Sequence, residues 1–158
     1  MDEKIYVGVD GSMLLTRDAG WKEVKVCRIF TETAYHDIEP KRNYLDDSQY
    51  IAHLGGHKEF EEKVETLLDS YKETCSVKNV QLVFLSDGAT WIKNWIEDAY
   101  PKAHLILDYY HATEYLAKAK NLYFFSENDE SKMWLEKMKT FLYEGQVMEV
   151  INELQNLQ

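Results

Sequence analysis

Val80-Gln81-Leu82-Val83-Phe84-Leu85-Ser86-Asp87-Gly88 is a nearly continuous apolar run that ends on an acid followed by glycine. A run of this length bounded by turn residues reads as a strand. Ile92, Trp95, Ile96 and Ala99 then fall on one helical face before Pro101 stops the helix, and Leu105 to Leu107 supplies the next strand. Strand, helix, strand in this order predicts a crossover unit within an α/β sheet.

Upstream of that unit, Ile5 to Val9 reads as a buried strand ending at Asp10-Gly11. Trp21 to Phe30 reads as a second strand, with Val24, Val26 and Phe30 alternating with Glu23, Lys25 and Ile29; Asp18-Ala19-Gly20 supplies the hairpin turn. A polar stretch from Thr31 to Asp47 carries no assigned element, and Gln49 to Leu54 forms a third strand ending at Gly55-Gly56. Phe60, Val64, Leu67, Leu68 and Tyr71 place one apolar face on a helix over 57–73. The whole predicts a three-strand meander followed by strand–helix–strand crossovers: a mixed five-stranded sheet flanked by helices, with the first strand beside the fourth.

Downstream, the spacing predicts a helix from His111 carrying Tyr115, Leu116, Ala119, Leu122 and Tyr123, broken at 126–129. Two more helical stripes follow, Trp134/Met138/Phe141/Leu142 and, after Gly145, Val147/Val150/Ile151/Leu154. The expected organisation is a sheet core over 1–110 and a helical segment over 111–158. Those stripes are expected to cover an open sheet face or to exchange with a second copy in a homodimer, against the simpler alternative of a helical hairpin packing on itself.

Asp10 and Asp87 share a pattern, an acid after an apolar strand and before a glycine, and the predicted topology makes their strands neighbours. Two adjacent carboxylates repel and gain most from a cation between them, which points to magnesium or manganese and to phosphate chemistry. The competing reading is that Asp-Gly merely makes a turn. Gly11 and Gly88 would let a nucleic-acid backbone approach closely, and Trp91 could stack on a base or pack beneath the loop. Asp108 and His111 could hydrogen-bond, fixing the His111 tautomer, or both could face the metal site; the competing reading is that Asp108 merely caps the helix that follows. Zinc through His104, Asp108 and His111 lacks any thiolate, and His53 and His57 read as a solvated turn.

With 45 % hydrophobic and 13 % aromatic residues the chain is a folding sequence rather than a disordered one. It has neither a run long enough for a membrane span nor a signal peptide at its start, so no membrane association and a cytoplasmic location are expected. Cys27 and Cys75, far apart, read as buried free thiols. A net charge of −10 opposes binding to phosphate, so DNA binding by this chain alone is expected to be weak or nil. Phosphate-loop, nucleophile-elbow and dinucleotide fingerprints do not occur.

Four segments together resemble landmarks of one family in its order: Val9-Asp10-Gly11-Ser12-Met13, Gly20-Trp21-Lys22-Glu23-Val24-Lys25, Leu85-Ser86-Asp87-Gly88-Ala89-Thr90-Trp91-Ile92, and Ile106 to Leu116 with its Asp108-Tyr109-Tyr110-His111. The family is the catalytic domain of bacterial insertion-sequence DDE transposases of the ISKra type, on the Mutator-like branch. The resemblance implies an RNase H-like fold with a C-terminal helical insertion. It implies Asp10 and Asp87 as catalytic, metal-holding acids for Mg2+ or Mn2+, and Asp108 with His111 as the family's Asp-x-x-His signature. In the complete protein it implies DNA phosphodiester hydrolysis and strand transfer. No position in the chain matches the third acid, a glutamate, so the expectation is a truncated catalytic core. The alternatives are a non-catalytic remnant serving as a protein-interaction module and a stand-alone RNase H-like nuclease.

Overall fold

A computed structural model describes residues 3–39, 42–74 and 80–157. The chain divides into two compact units, Met1–Ile106 and Leu107–Gln158, a boundary slightly ahead of the expected residue 110. The first unit is built on a five-stranded mixed sheet. Its strands are β1 (Glu3–Thr16), β2 (Gly20–Thr31), β5 (Gln49–Leu54), β6 (Val80–Ser86) and β7 (His104–Leu107), in spatial order β5-β2-β1-β6-β7. β1 runs antiparallel to β2 and parallel to β6, and β2 runs antiparallel to β5. This is the predicted topology, with the first strand beside the strand that ends at Asp87.

Helices α1 (His57–Thr74) and α2 (Thr90–Ala99) pack on one face of that sheet. β1 presents Ile5, Val7 and Val9 to it, β2 presents Cys27 and Ile29, and β6 presents Phe84. Phe60, Val64, Leu68 and Tyr71 meet them from α1, as the helical spacing requires. From α2, Trp95 sets its ring edge-on to Phe84 at 5.9 Å and donates its Nε1 proton to Glu65 at 3.0 Å, satisfying the one polar atom it brings into the core.

Three sequence expectations are corrected here. β1 does not end at Val9: its ladder with β2 continues from Asp10↔Val26 to Thr16↔Gly20, so Asp10-Gly11 lies in mid-strand and the turn falls at Arg17 to Ala19, with Gly20 at φ +68°. Pairing of Asp10 with Val26 and of Gly11 with Lys25 keeps the acid and glycine extended despite their poor strand propensity. The helix-covered face of β2 is Lys25-Cys27-Ile29, not the Val24, Val26 and Phe30 side. The polar stretch before β5 contains a 3-10 turn (Glu32–Ala34) and a separate two-stranded ribbon of β3 (Tyr35–Glu39) and β4 (Arg42–Leu45). His36 Nε2 and Asp46 Oδ2 sit 2.9 Å apart on it.

The second unit holds α3 (Tyr109–Tyr123), α4 (Asp129–Tyr143) and α5 (Val147–Gln155). Leu116, Met138 and Val150, one from each helix, form its centre, with Trp134, Phe141, Leu142 and Leu154 around them. The two apolar stripes thus pack on each other and on α3, while Val147 and Ile151 of the second stripe stay exposed. Asn128 and Ser131 form a reciprocal capping box at the start of α4. At its end Gly145, at φ +72°, allows Gln146 N to donate to Phe141 O and Gly145 N to Leu142 O, a Schellman close that turns the chain into α5.

Cys27 is free and fully buried, as expected; Cys75 lies outside the described residues. Burial pushes the Cys27 thiol up to about 12 and also raises the Tyr100 phenol. Both groups are neutral in the fold and would ionise earlier in the unfolded chain, so stability falls as pH rises. From Cys27 alone the loss begins near pH 9 and continues to about 12, at up to ~1.4 kcal/mol per unit. Urea unfolding at pH 8 and 10 should show this decline, and Cys27→Ala should show a shallower one; equal slopes would contradict it.

Candidate functional site

The last register pair between β1 and β6 is Val9↔Ser86, so Asp10 and Asp87 are the next residues of two adjacent parallel strands, 77 positions apart in sequence. Val9 and Ser86 are both buried on the helix-covered face, and alternation puts Asp10 on the opposite, open side, where it is exposed. Asp10 Oδ1 accepts from Gly11 N at 2.8 Å. Asp87 leaves the strand in a side-chain-to-backbone turn, its Oδ1 accepting from Ala89 N at 2.9 Å, while Gly88 N donates to Ser86 Oγ at 3.3 Å. Gly88 at φ +85° is the residue that permits the turn, and α2 starts two residues later.

Neither carboxylate enters an ion pair with another described residue, and Oδ2 of each has no hydrogen-bond partner among them. Two hard oxygen donors on neighbouring strand positions suit magnesium or manganese, which commonly takes one or two carboxylates and completes its sphere with water and substrate phosphate. No group of three His, Cys, Asp or Glu able to hold a metal occurs among the described residues. His104 Nε2 lies instead 2.6 Å from Gln81 Nε2 on the neighbouring strand.

Asp108 follows β7 and caps α3, its Oδ1 accepting from Tyr110 N (2.9 Å) and His111 N (3.2 Å). The same oxygen lies 3.2 Å from His111 Nδ1. Asp108 therefore caps the helix and orients His111 at once: as a carboxylate it accepts from the Nδ1 proton, leaving Nε2 of His111 as the free ring nitrogen.

Trp91 takes the packing role. It is partly buried, edge-on to Phe60 at 6.1 Å and tilted against His57 at 5.8 Å. Gly11 makes no turn, but its missing side chain leaves room for Glu23, whose Oε1 would lie 2.9 Å from an added Cβ. His53 is not a solvated-turn residue: it belongs to β5, its Nδ1 lies 3.1 Å from Lys63 Nζ, and its Nε2 is buried without a hydrogen bond.

Sequence reasoning missed Lys25, which is only 3 % exposed. Its ammonium donates to Glu23 Oε2 (2.6 Å) and Gly55 O (2.9 Å) and lies 5.6 Å from the Trp91 ring centroid. This one cation ties β2 to the turn entering α1 and to the first turn of α2. Its signal was its spacing, two and four residues before Cys27 and Ile29.

Compared with known protein families, curated proteins and solved structures, the chain matches none.

The cap geometry makes a separable prediction. Asp108→Ala should cost about 1 kcal/mol in urea unfolding, whereas Asp108→Asn, which keeps the cap acceptor, should lie within a few tenths of wild type. Equal losses would show that the charge rather than the cap matters.

Proposed function

We propose that the chain is an RNase H-like catalytic core of the DDE transposase type, in which Asp10 and Asp87 jointly hold divalent metal against a DNA phosphodiester. The observation that carries this reading is the β1–β6 register, which makes two sequence-distant acids successors of paired residues. Further support comes from the sheet order β5-β2-β1-β6-β7, with only β2 antiparallel to both its neighbours, which is the arrangement expected of a meander followed by crossovers.

Bound Mg2+ or Mn2+ would supply activation of an attacking oxygen and neutralisation of the leaving one. The chain's own contribution is preorganisation. Asp10 is fixed by a ladder with β2, and Asp87 by its turn onto Ala89, so both carboxylates are oriented before any ligand arrives. The open side of the sheet at Asp10 gives a substrate its approach, while Ser86 and Val9 face the core behind it.

Two carboxylates alone predict weak metal binding that depends on both. A Mn2+ titration followed by electron paramagnetic resonance should give a low-affinity site in the wild type, strengthened by added DNA. Either Asp10→Asn or Asp87→Asn should remove that site without lowering the melting temperature by more than a few degrees. Tight binding that survives Asp10→Asn would overturn the assignment.

A further inference from the structure

The strand registers lay out the sheet face opposite α1 and α2 row by row. Asp10 pairs with Val26, and Val26 with Ala52. Two residues back along β1 the next row runs Leu85, Gly8, Arg28, Tyr50, one residue from each of four adjacent strands. Alternation puts both rows on the open side with Asp10. Arg28 and Gly8 therefore stand on the face from which Asp10 is approached, one row away from it.

Arg28 is held in place. Its Nε and Nη2 both donate to Ser48 Oγ, at 3.2 and 3.0 Å, and its guanidinium carbon lies over the Tyr50 ring at 5.1 Å and the Phe30 ring at 5.7 Å. Lack of an ion pair does not distinguish it, since the exposed Lys58, Lys102 and Lys132 have none among the described residues either. Those ammoniums ride on free stems in water. Arg28 is half-buried and fixed by one neutral oxygen and two rings, and its Nη1 makes no hydrogen bond to a described residue. The nearby Asp46 is turned to His36, its Oδ2 2.9 Å from Nε2. Beside Arg28 the face is open: a Cβ added to Gly8 would meet nothing nearer than Arg28 O at 3.9 Å. No positive φ calls for glycine at that position, and a glycine inside a strand marks a place where another backbone comes close.

We infer that Arg28 and the gap above Gly8 form a phosphate subsite, seating the DNA strand beside the Asp10/Asp87 centre with Arg28 as a substrate-binding residue. This rests on the reading of that centre proposed above. The chemistry that selects phosphate is the guanidinium itself: a planar fork, weakly hydrated, already oriented, with donors left for two oxygens of one phosphate. Its place agrees. Two residues along a strand and one strand across separate the Arg28 and Asp10 backbones by about 8 Å, and the side chain leans further away toward Tyr50. At ~3.4 Å of rise per nucleotide, that is a phosphate about two to three positions from the one at the carboxylates.

The test is fluorescence anisotropy of a labelled 20-base-pair DNA with the full chain, in Ca2+ and at several salt concentrations, beside the Mn2+ titration without DNA. Arg28→Ala should weaken DNA binding about tenfold at low salt and lower the slope of log affinity against log salt by about 0.9, while Mn2+ affinity without DNA stays within about twofold. Arg28→Lys should restore the slope but only part of the affinity, because an ammonium cannot grip two oxygens as a fork does. Gly8→Val should weaken DNA binding with the slope unchanged and the melting temperature equal to or above wild type, since valine suits a strand better than glycine. If Arg28→Ala fails to fold, Arg28→Lys and Gly8→Val carry the test. Were Arg28 only a tie between β2 and Ser48, its loss would lower the melting temperature, and Gly8→Val would leave DNA affinity at the wild-type value; that pair of results would overturn the subsite. Wild-type affinity and slope in Arg28→Ala would do the same and leave the metal-site reading standing. No DNA binding by the wild type at any salt would also sink the subsite, while the Mn2+ titration without DNA judges the carboxylate pair by itself.

Discussion

The parallel ladder between β1 and β6 is the constraint on which the rest depends. Ile5↔Leu82, Val7↔Phe84 and Val9↔Ser86 bring together stretches from opposite halves of the first unit. The side chains they align on one face are those that α1 and α2 cover. Full burial of Ile5, Val7 and Phe84 contributes roughly 1.5–3 kcal/mol each. A one-residue slip would turn all of them to the open side, so the register is specified by the core. The position of Asp10 beside Asp87 is a by-product of that apolar requirement: the acids are placed by the residues that precede them.

Lys25 works by a different physics. A lone ammonium with 3 % exposure would be costly, and it is tolerated because Glu23, Gly55 O and the Trp91 face surround it. Removing one partner leaves the other charge poorly compensated, whereas an apolar replacement of similar length can be nearly neutral. Its structural effect is directional. It fixes the Gly55-Gly56 turn at the end of β5, and so sets where α1 begins over the sheet.

Periodicity carried most of the architecture. β5, α1, α2 and the three C-terminal helices were legible because their apolar positions repeat cleanly and their ends carry Gly, Pro or Asn signals. β2 was misread because both of its faces are half apolar, and the aliphatic stem of a lysine can be buried once its ammonium is paired, which no hydropathy pattern reveals. β1 was cut short because Asp-Gly is turn chemistry in isolation, and only pairing with Val26 and Lys25 of β2 overrides it. For the site, the acids were legible as a motif. The exposure of Trp21 and Lys22 beyond it was not, since a Trp-Lys pair in a strand looks the same whether a third strand flanks it or not.

The unequal company kept by β1 along its length has a consequence for local opening. Between Ile5 and Val9 the strand has a hydrogen-bonded neighbour on each side, while from Met13 to Thr16 it has only β2. Amide exchange should therefore run from slow to fast along one continuous strand, with Asp10 at the crossover. An acid at the boundary between a rigid sheet and a fraying ribbon is held from behind and left adjustable in front. Such a position lets a carboxylate keep its place while the chain beyond it yields to what arrives.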